Sequence, residues 1–569
     1  MRQRVSMFNN SRNIHIKNSS LTVNVHASNE GNLDRLIDVV ASNAILNAGG
    51  RADEVRCYPG TREEVIGKVE RWMDGQGAPA HRMMWLSGPA GAGKSAIAQT
   101  VAERCQERGI NAANFFFRSD ATRNHAQPLV ATLVYQLRRY YPALDELLAD
   151  CLTATSLICK ASIDEQLRQL IASPIQIIRH SSSTHQPIIL IIDGLDECDN
   201  ERTQEQILGA LHALVAEDSS PFRVLVASRA EHHLVMSFNK TGASVESIFL
   251  NDEYRPEEDI RCFVIAKFSE IKGVHSLART LGEHWPAREN IDKITKKSSG
   301  QFIYAATVMR FIQCSPASPA LSLSTVLRTR PSSDHGPLAQ LDALYSHIFS
   351  KVHNMQMLRL ILGAHFITAG KHFGSVGSLM RLAGYDEIEI ESSLADLAAI
   401  VQVVPGVHTE LVFYHASLSD YLQDRSRSGI YHIDVGDVAA EFFIMFLRTY
   451  PNQGLNVVEA LMVTFWTLGH VEKATPELSY HLLDASTRKL DADFAKFPFW
   501  GRFLGAIEKL YFETDTPLFK LMLRRWIRFA YRNKINAHKK VYELSPSALR
   551  HYQCYRTMEW VKFVLRLTR

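Results

Sequence analysis

An apolar run that leads directly into a glycine-rich loop constrains this chain more than any other feature. Residues 83–95 read MMWLSGPAGAGKS, so a short hydrophobic strand precedes the pattern Gly-x-x-x-x-Gly-Lys-Ser. The glycines allow the loop to curl with its backbone N–H groups pointing towards an anion. Ala96, Ile97, Val101 and Cys105 follow at helical spacing, which places a helix N-terminus at the same anion. The sequence therefore predicts a phosphate-binding loop.

The pattern also assigns individual roles within this loop. The predicted phosphate-binding residues are Gly88, Pro89, Ala90, Gly91, Ala92, Gly93, Lys94, Ser95 and Ala96. Lys94 is expected to reach the β and γ phosphates, and the Ser95 hydroxyl is expected to bind Mg²⁺. The expected ligand is therefore a nucleoside triphosphate or its diphosphate. The sequence leaves open whether the base is that of ATP and ADP or that of GTP.

A second motif supplies the acidic half of a nucleotide site. Residues 187–200 read PIILIIDGLDECDN, in which five branched apolar residues predict a strand buried on both faces of a parallel sheet. Asp193 ends this strand, at the edge where open α/β sheets bind ligands, and is expected to hold Mg²⁺ together with Ser95. Asp196 and Glu197 follow, and one of them is expected to orient or deprotonate the attacking water.

Two more apolar runs fit the same sheet. Residues 115–118 and 223–229 read as strands that alternate with helices, which predicts a doubly wound parallel α/β fold. Arg229 lies just past a strand end on the phosphate side. It is expected to sense the γ-phosphate or to couple it to a neighbouring domain, and a solvated surface arginine is the alternative. Arg118 and Arg123 are further candidates for the same role.

Length and charge limit the classes of function. The 569 residues are enough for three or four domains, and the net charge of +3 gives no general reason to expect a nucleic-acid or membrane partner. The eight cysteines show no metal-binding spacing, which is typical of reduced thiols. No run has the length of a signal-peptide core or a membrane span. We therefore expect a cytoplasmic protein.

The motif set resembles the NACHT family of STAND-type P-loop NTPases, especially the NOD-like receptors of mushroom-forming fungi. The matching segments are CYPGTR at 57–62, the loop at 88–95, TLVYQL at 132–137, DGLDE at 193–197, ASR at 227–229, GQFIYA at 300–305 and YHASLSDYL at 414–422. The resemblance covers about residues 55 to 425. It is specific for the family and does not identify one member.

The resemblance implies a second contact with the nucleotide. In such proteins a histidine of a winged-helix domain contacts the β-phosphate of ADP and holds a closed form, and the matching residue is His415. An ordinary hydrogen-bonded histidine is the alternative. A proline that touches the adenine in related proteins is replaced here by the pattern Gly300-Gln301-Phe302, so the base contacts stay open. Thr61 and Arg62 are expected to border the base, unless Thr61 simply caps a helix.

The expected domain layout is an α/β P-loop NTPase followed by three helical or mixed regions. The predicted units are 1–55 (a short strand or hairpin segment, then a connector helix at 32–47), 56–250 (nucleotide-binding domain), 251–335 (small helical domain and linker), 336–428 (winged-helix domain) and 429–569 (helical region). Within the last unit, residues 519–569 are basic. Interleaved apolar residues favour helices with a solvated basic face over direct nucleic-acid binding.

The resemblance implies a nucleotide-operated signalling switch. Slow hydrolysis would control opening and homo-oligomerisation, with unknown protein partners, in fungal immune-type or cell-death signalling. Lys94 would stabilise the γ-phosphate, Asp196 or Glu197 would position water, and Arg229 would report on the γ-phosphate. Two alternatives stay open: a continuously cycling P-loop ATPase that remodels a macromolecule, and a nucleotide-binding scaffold that does not hydrolyse.

Overall fold

A computed structural model of the chain describes most of its residues. The described residues are 30–46, 56–75, 81–118, 123–180, 186–217, 219–240, 245–329, 338–368, 375–404, 410–449, 467–487, 500–532 and 544–567. The predicted hairpin segment at the start of the chain therefore lies outside the described residues. Among the described residues, no helix is both long enough and apolar enough to cross a membrane.

A five-stranded parallel sheet forms the first large unit. Its strands are β1 (Met83–Ser87), β2 (Ala112–Phe116), β3 (Ile188–Asp193), β4 (Phe222–Ser228) and β5 (Val245–Phe249). Their order across the sheet is β2-β3-β4-β1-β5, with every neighbouring pair parallel. Because β1 and β3 lie on either side of β4, the glycine-rich loop and Asp193 meet at one edge of the sheet from two strands that are not adjacent.

Helices cover both faces of this sheet. They are α1 (Glu30–Ile37), α2 (Glu63–Met73), α3 (Lys94–Glu107), α4 (Leu129–Leu137), α5 (Leu144–Ala154), α6 (Ile163–Leu167), α7 (Ser173–His180), α8 (Glu201–Ala216) and α9 (His232–Lys240). Alternate residues of β1 enter opposite cores: Met83 and Trp85 pack on one face, Met84 and Leu86 on the other. The predicted doubly wound α/β fold is confirmed.

Two predicted boundaries in this unit are wrong. The strand predicted at residues 115–118 runs from Ala112 to Phe116. It includes the polar residue Asn114, whose side-chain oxygen accepts a hydrogen bond from the backbone N–H of Leu46 (2.8 Å). The connector helix predicted at 32–47 ends at Ile37. Tertiary hydrogen bonds then take the place of helical ones, since the backbone N–H of Ala41 donates to the Thr132 hydroxyl (3.0 Å).

The middle of the chain is helical with one small sheet. Its elements are α10 (Pro256–Val274), α11 (Arg288–Ser298), α12 (Phe302–Cys314), α13 (Pro319–Arg328), α14 (Ala339–Phe349), α15 (Met355–Thr368), α16 (Val376–Leu382), α17 (Glu387–Leu394), β6 (Val401–Val404), β7 (Glu410–Phe413), α18 (Ala416–Gln423) and α19 (Arg425–Ser428). Strands β6 and β7 pair antiparallel.

The segment that follows α12 is rich in proline and serine and nevertheless contains a further helix. Pro319 begins α13, in the first turn where proline is tolerated. Leu323 and Val326 of this helix are buried in the same hydrophobic core that continues through the middle and C-terminal helices. The composition of the segment therefore concealed a short packed helix.

The C-terminal part is helical, as predicted. Its helices are α20 (Val435–Thr449), α21 (Pro476–Ala485), α22 (Trp500–Tyr511), α23 (Thr516–Arg532) and α24 (Pro546–Leu567). In α23, Arg524 and Arg528 are exposed while Trp526 and Phe529 are buried. This helix therefore has the basic outer face and packed inner face that the sequence indicated.

Candidate nucleotide site

The glycine-rich loop adopts a conformation that only glycines accept easily. Gly91 and Gly93 have φ values of +77° and +97°, in the left-handed region that disfavours side chains. A Cβ atom at Gly91 would also overlap the Cγ2 atom of Ile303, so α12 packs directly on the loop. At Gly93 no described atom lies within 4 Å of such a position. The loop is therefore closed by α12 on one side and open above Gly93.

The helix after the loop presents its N-terminus to this opening. Gly93 is the N-cap of α3, and within the described residues no side chain caps that end. The first N–H groups of a helix have no intrahelical partner, and the helix dipole adds partial positive charge there. The start of α3 therefore has the donors and the electrostatic potential that bind a phosphate.

Lys94 folds back over the loop. Its Nζ atom donates hydrogen bonds to the carbonyl oxygens of Gly88 (2.8 Å) and Pro89 (3.0 Å). Desolvation lowers the pKa of Lys94, while the nearby Asp196 and Asp193 carboxylates act in the opposite direction. The ammonium group thus lies at the mouth of the loop, where phosphate oxygens would replace the two carbonyl acceptors.

A cavity of about 160 Å³ brings most of the predicted site residues together. They are Ala90, Gly91, Gly93, Lys94, Ser95, Ala96, Asp193, Asp196, Glu197, Arg229 and His415. The other three predicted loop residues, Gly88, Pro89 and Ala92, line an adjoining cavity of about 440 Å³ that also contains Arg62 and Arg229. No predicted loop residue lines the cavity of about 370 Å³ between α7 and the end of α8.

Asp196 is already engaged by Arg229. Its Oδ1 atom accepts a hydrogen bond from the backbone N–H of Arg229 (2.9 Å), and its Oδ2 atom lies 3.2 Å from the Arg229 Nε atom. The Asp196 side chain is only 4% exposed. Glu197 lines the cavity beside it, and its negative charge also favours the charged form of Arg229.

Arg229 also reaches a second carboxylate, which comes from a distant part of the chain. Its Nη2 atom lies 3.3 Å from the Oδ2 atom of Asp420 in α18. Desolvation works against the charge on Arg229, but attraction to Asp420 and Asp196 outweighs it and raises the pKa of the guanidinium. The partly exposed Arg229 side chain therefore links the sheet unit to α18, and its role as a sensor of the γ-phosphate stays a prediction.

His415 is the N-cap of α18 and lines the cavity with its imidazole. Its Nδ1 atom accepts a hydrogen bond from the backbone N–H of Ser417 (3.0 Å). Desolvation is the main cause that lowers the pKa of His415 to about 3, and the nearby guanidinium groups of Arg118 and Arg229 act in the same direction. The ring is therefore neutral at pH 7. Since Nδ1 accepts, the proton of the neutral ring resides on Nε2.

Sequence reasoning missed Arg310 and Tyr414. The Arg310 guanidinium lies 4.1 Å from the centre of the Tyr414 ring, and both residues line the cavity. Helical spacing was the available signal, because Ile303, Ala306 and Arg310 follow one another at intervals of three and four on one face of α12. Only the packing of α12 on the loop shows that this face belongs to the site.

The remaining candidates have different positions. Arg118 donates to the carbonyl oxygen of Phe413, which places it beside His415. Arg123 donates to the carbonyl oxygen of Asn43 (2.6 Å), so it holds the N-terminal connector and does not line the phosphate cavity. Thr61 does not cap α2, since its hydroxyl donates to Tyr58.

Arg62 is buried beside the loop. It is the N-cap of α2 with a φ of +60°, and its Nη2 atom donates to the carbonyl oxygen of Ala92 (2.9 Å). Its guanidinium also lies 5.0 Å from the centre of the Phe302 ring. Arg62 therefore ties the start of α2 to the loop and to α12, at the edge of the 440 Å³ cavity.

The predicted Mg²⁺ ligands are compatible with a site that the nucleotide completes. Ser95 and Asp193 line the same cavity, and a hydroxyl with a carboxylate suits this hard cation. No group of three or more histidine, cysteine or acidic side chains among the described residues could hold a metal ion by itself. Phosphate oxygens and water would have to provide the other ligands.

Part of the chain matches a known protein family. Residues 60–229 match the family described as Nephrocystin 3, N-terminal, and this stretch contains the glycine-rich loop, β3 and Arg229. No curated protein matches with significant similarity. Among solved structures, the chain is similar to a Signal Transduction ATPase with Numerous Domains (STAND) protein with a tetratricopeptide repeat sensor from Pyrococcus horikoshii. The sequence identity is 12%, the TM-score is 0.36, and the match covers 91% of this chain and 69% of the other.

Proposed function

We propose that this chain is a nucleotide-operated signalling switch of the STAND type, which holds a nucleoside diphosphate in a closed form and hydrolyses the triphosphate slowly. The observation that carries the proposal is that His415 of α18 lies in one cavity with Lys94 of the glycine-rich loop. His415 is far from the glycine-rich loop in sequence, yet it lines the same cavity as that loop. The glycine-rich loop and the carboxyl ends of β3 and β4 in the α/β sheet unit supply the rest of the site.

The phosphate contacts follow from the geometry. The N–H groups at the start of α3 and the ammonium of Lys94 would bind the phosphate chain from the sheet side. The Nε2–H group of His415 would donate to a β-phosphate oxygen from the α18 side. A neutral ring with a fixed donor suits this role, because hydrogen bonds to charged acceptors are stronger than those between neutral groups.

The hydrolytic roles are divided between the two acids. We assign the positioning of the attacking water to Glu197, and we assign Asp196 the task of holding Arg229. The support is that both Asp196 oxygens are already occupied by Arg229, while Glu197 lines the cavity. Ser95 and Asp193 would hold Mg²⁺, which neutralises charge on the transferred phosphate. Lys94 would stabilise the γ-phosphate.

Arg229 would couple the bound nucleotide to the conformation of the protein. In the closed form it pairs with Asp420, and a γ-phosphate in the cavity would compete for the same guanidinium. Binding of triphosphate would then weaken the link between the sheet unit and α18. The shift towards an open form follows if the triphosphate interacts more favourably with that form. The exposed surface would support homo-oligomerisation.

We further propose the domain boundaries 56–250, 251–335, 336–428 and 429–569, with a winged-helix domain at 336–428. The antiparallel pair β6–β7, with helices α14 to α19 around it, supports this assignment. By resemblance of the motifs, the output would be fungal immune-type or cell-death signalling through unknown protein partners. A cytoplasmic location is supported by the free thiols of Cys57, Cys105, Cys151, Cys159 and Cys198.

The test is the nucleotide that the purified protein carries. We expect denaturation to release about one equivalent of ADP or GDP, and the native protein to show very slow turnover. Lys94→Ala should lose this nucleotide, whereas Lys68→Ala should keep it, since Lys68 contacts Tyr254 and lines neither cavity. Absence of nucleotide, together with no binding by calorimetry, would refute the proposal.

The same preparation separates the two rival functions. Fast turnover stimulated by a macromolecule, without retained diphosphate, would favour a cycling ATPase. Retained nucleotide with no phosphate release above that of Glu197→Gln would favour a scaffold that does not hydrolyse.

A further inference from the structure

A chain of buried hydroxyl groups leads from α14 to the imidazole of His415. The Tyr345 hydroxyl lies 3.0 Å from the Ser417 Oγ atom, and Ser417 Oγ lies 2.8 Å from His415 Nδ1. Tyr345 is 1% exposed and Ser417 is fully buried. Because these groups are buried away from bulk water, their hydrogen bonds have to be made with neighbouring protein groups.

The backbone fixes the direction of every proton in this chain. The Ser417 N–H can only donate, so His415 Nδ1 must be an acceptor without a proton. The Ser417 hydroxyl must then donate to Nδ1 as well, and with its single proton used it can only accept from Tyr345. The order is therefore Tyr345 to Ser417 to His415, and Nε2–H is left as the donor towards the cavity.

Removal of the tyrosine hydroxyl would loosen this order. Hydrogen bonds in a chain polarise one another, so a proton donated into Ser417 strengthens the bond that Ser417 donates to His415. Without Tyr345, the Ser417 hydroxyl can rotate to another acceptor, and Nδ1 keeps only the backbone donor. The imidazole would then be held less firmly against the start of α18.

We propose that Tyr345 and Ser417 are positioning residues that hold His415 with its Nε2–H group directed at the nucleotide phosphate. The proposal rests on the proposed function, since it assumes that His415 contacts the phosphate chain. It adds α14 to the elements on which retention of the nucleotide depends. Tyr345 lies outside the matched motifs, and its hydroxyl acts only through Ser417.

A neighbouring tyrosine provides a matched control. The Tyr421 ring lies 5.4 Å from the Tyr345 ring and is also fully buried, but its hydroxyl lies 2.8 Å from the Ser346 Oγ atom. Tyr345→Phe and Tyr421→Phe therefore each remove one buried hydroxyl from the same core. Only the first of them interrupts the chain that ends on His415.

The first measurement is the release rate of a fluorescent diphosphate. We expect Tyr345→Phe and Ser417→Ala to release it about three- to tenfold faster than wild type, the effect of losing one neutral hydrogen bond. Tyr421→Phe should release it at the wild-type rate. Equal rates for wild type and Tyr345→Phe, or an equal acceleration in Tyr421→Phe, would overturn the proposal.

The second measurement needs no nucleotide. In nucleotide-free protein with ¹⁵N-labelled histidine, His415→Asn identifies the His415 ring signals by their disappearance. The Nδ1 signal should move in Tyr345→Phe and Ser417→Ala and stay in place in Tyr421→Phe. An unmoved signal would refute the hydroxyl chain even if nucleotide binds, whereas a shifted signal in a protein that binds no nucleotide would leave the chain intact and refute the proposed function.

Discussion

The Arg229 guanidinium lies between Asp196 and Asp420, with its Nε atom 3.2 Å from the first carboxylate and its Nη2 atom 3.3 Å from the second. Asp196 belongs to the sheet unit and Asp420 to α18. One side chain that lines the cavity of about 160 Å³ therefore bridges two parts of the chain. This bridge gives the first prediction.

Asp420→Asn should weaken the bridge without emptying the cavity. The pair is partly exposed, so its loss should cost about 0.5–1 kcal/mol, which corresponds to about two- to fivefold faster diphosphate release. Asp424→Asn is the matched control, because it makes the same charge change at the start of α19, where asparagine also caps well. Stopped-flow release of a fluorescent diphosphate checks the prediction, and equal rates for the two variants would contradict it.

The two acids after β3 should respond differently to amidation. Glu197→Gln should retain nucleotide and reduce single-turnover phosphate release by about 10²-fold or more, the usual effect of removing a group that handles the proton of the attacking water. Asp196→Asn should instead lower the thermal unfolding temperature and speed diphosphate release, because it removes charge from a buried partner of Arg229. The assignment fails if Asp196→Asn abolishes hydrolysis while stability and diphosphate release stay unchanged.

His415 caps α18 and, in the proposed function, also contacts a phosphate, and substitution can separate these two roles. Asparagine is a favourable N-cap but is too short to reach as far as an imidazole, so His415→Asn should keep α18 capped and lose the phosphate contact. Both His415→Asn and His415→Ala should release diphosphate about tenfold faster or more. Only the alanine variant should also lose about 1 kcal/mol of unfolding free energy through the missing cap. Chemical denaturation without nucleotide measures that difference.

Acidification should destabilise the protein through His415. The folded pKa of about 3 lies below the ordinary value of 6.5, so the unfolded state binds more protons between these two pH values. The free energy of unfolding should therefore fall as the pH drops below 6.5, with a contribution of about 1–2 kcal/mol at pH 5. His415→Asn lacks this group, and its stability should decline less between pH 7 and pH 5. Parallel pH profiles for the two proteins would contradict the low pKa.

Local motifs predicted the sheet and its loop well, because both depend on residues that are close in sequence. The run from Ile188 to Ile192 is apolar at every position, as a strand covered on both faces must be. The tight turns at Gly91 and Gly93 require glycine wherever the rest of the chain lies. In such cases the local sequence carries the structural constraint.

Long-range partners could not be predicted in this way. Nothing near Arg229 indicates that Asp420 is its partner, and nothing near Arg123 indicates that it holds Asn43 in place of a ligand. Arg310 reads as part of a helix until α12 packs on the loop. Only the resemblance pointed to His415, and it did so without its connection to Tyr345. These features arise from packing between distant segments, and the spacing of residues along the sequence does not indicate which segments pack together.

The closure of the loop by Ile303 has a practical consequence for work with truncated proteins. A fragment that stops at residue 250 would contain the glycine-rich loop and the acidic strand end, but it would lack α12 and His415 altogether. Under the proposed function, such a fragment would bind nucleotide and release it quickly, because neither α12 nor His415 would cover the loop. The affinity of the fragment for nucleotide would reflect the glycine-rich loop and the acidic strand end alone, and it would not predict how long the whole chain retains nucleotide.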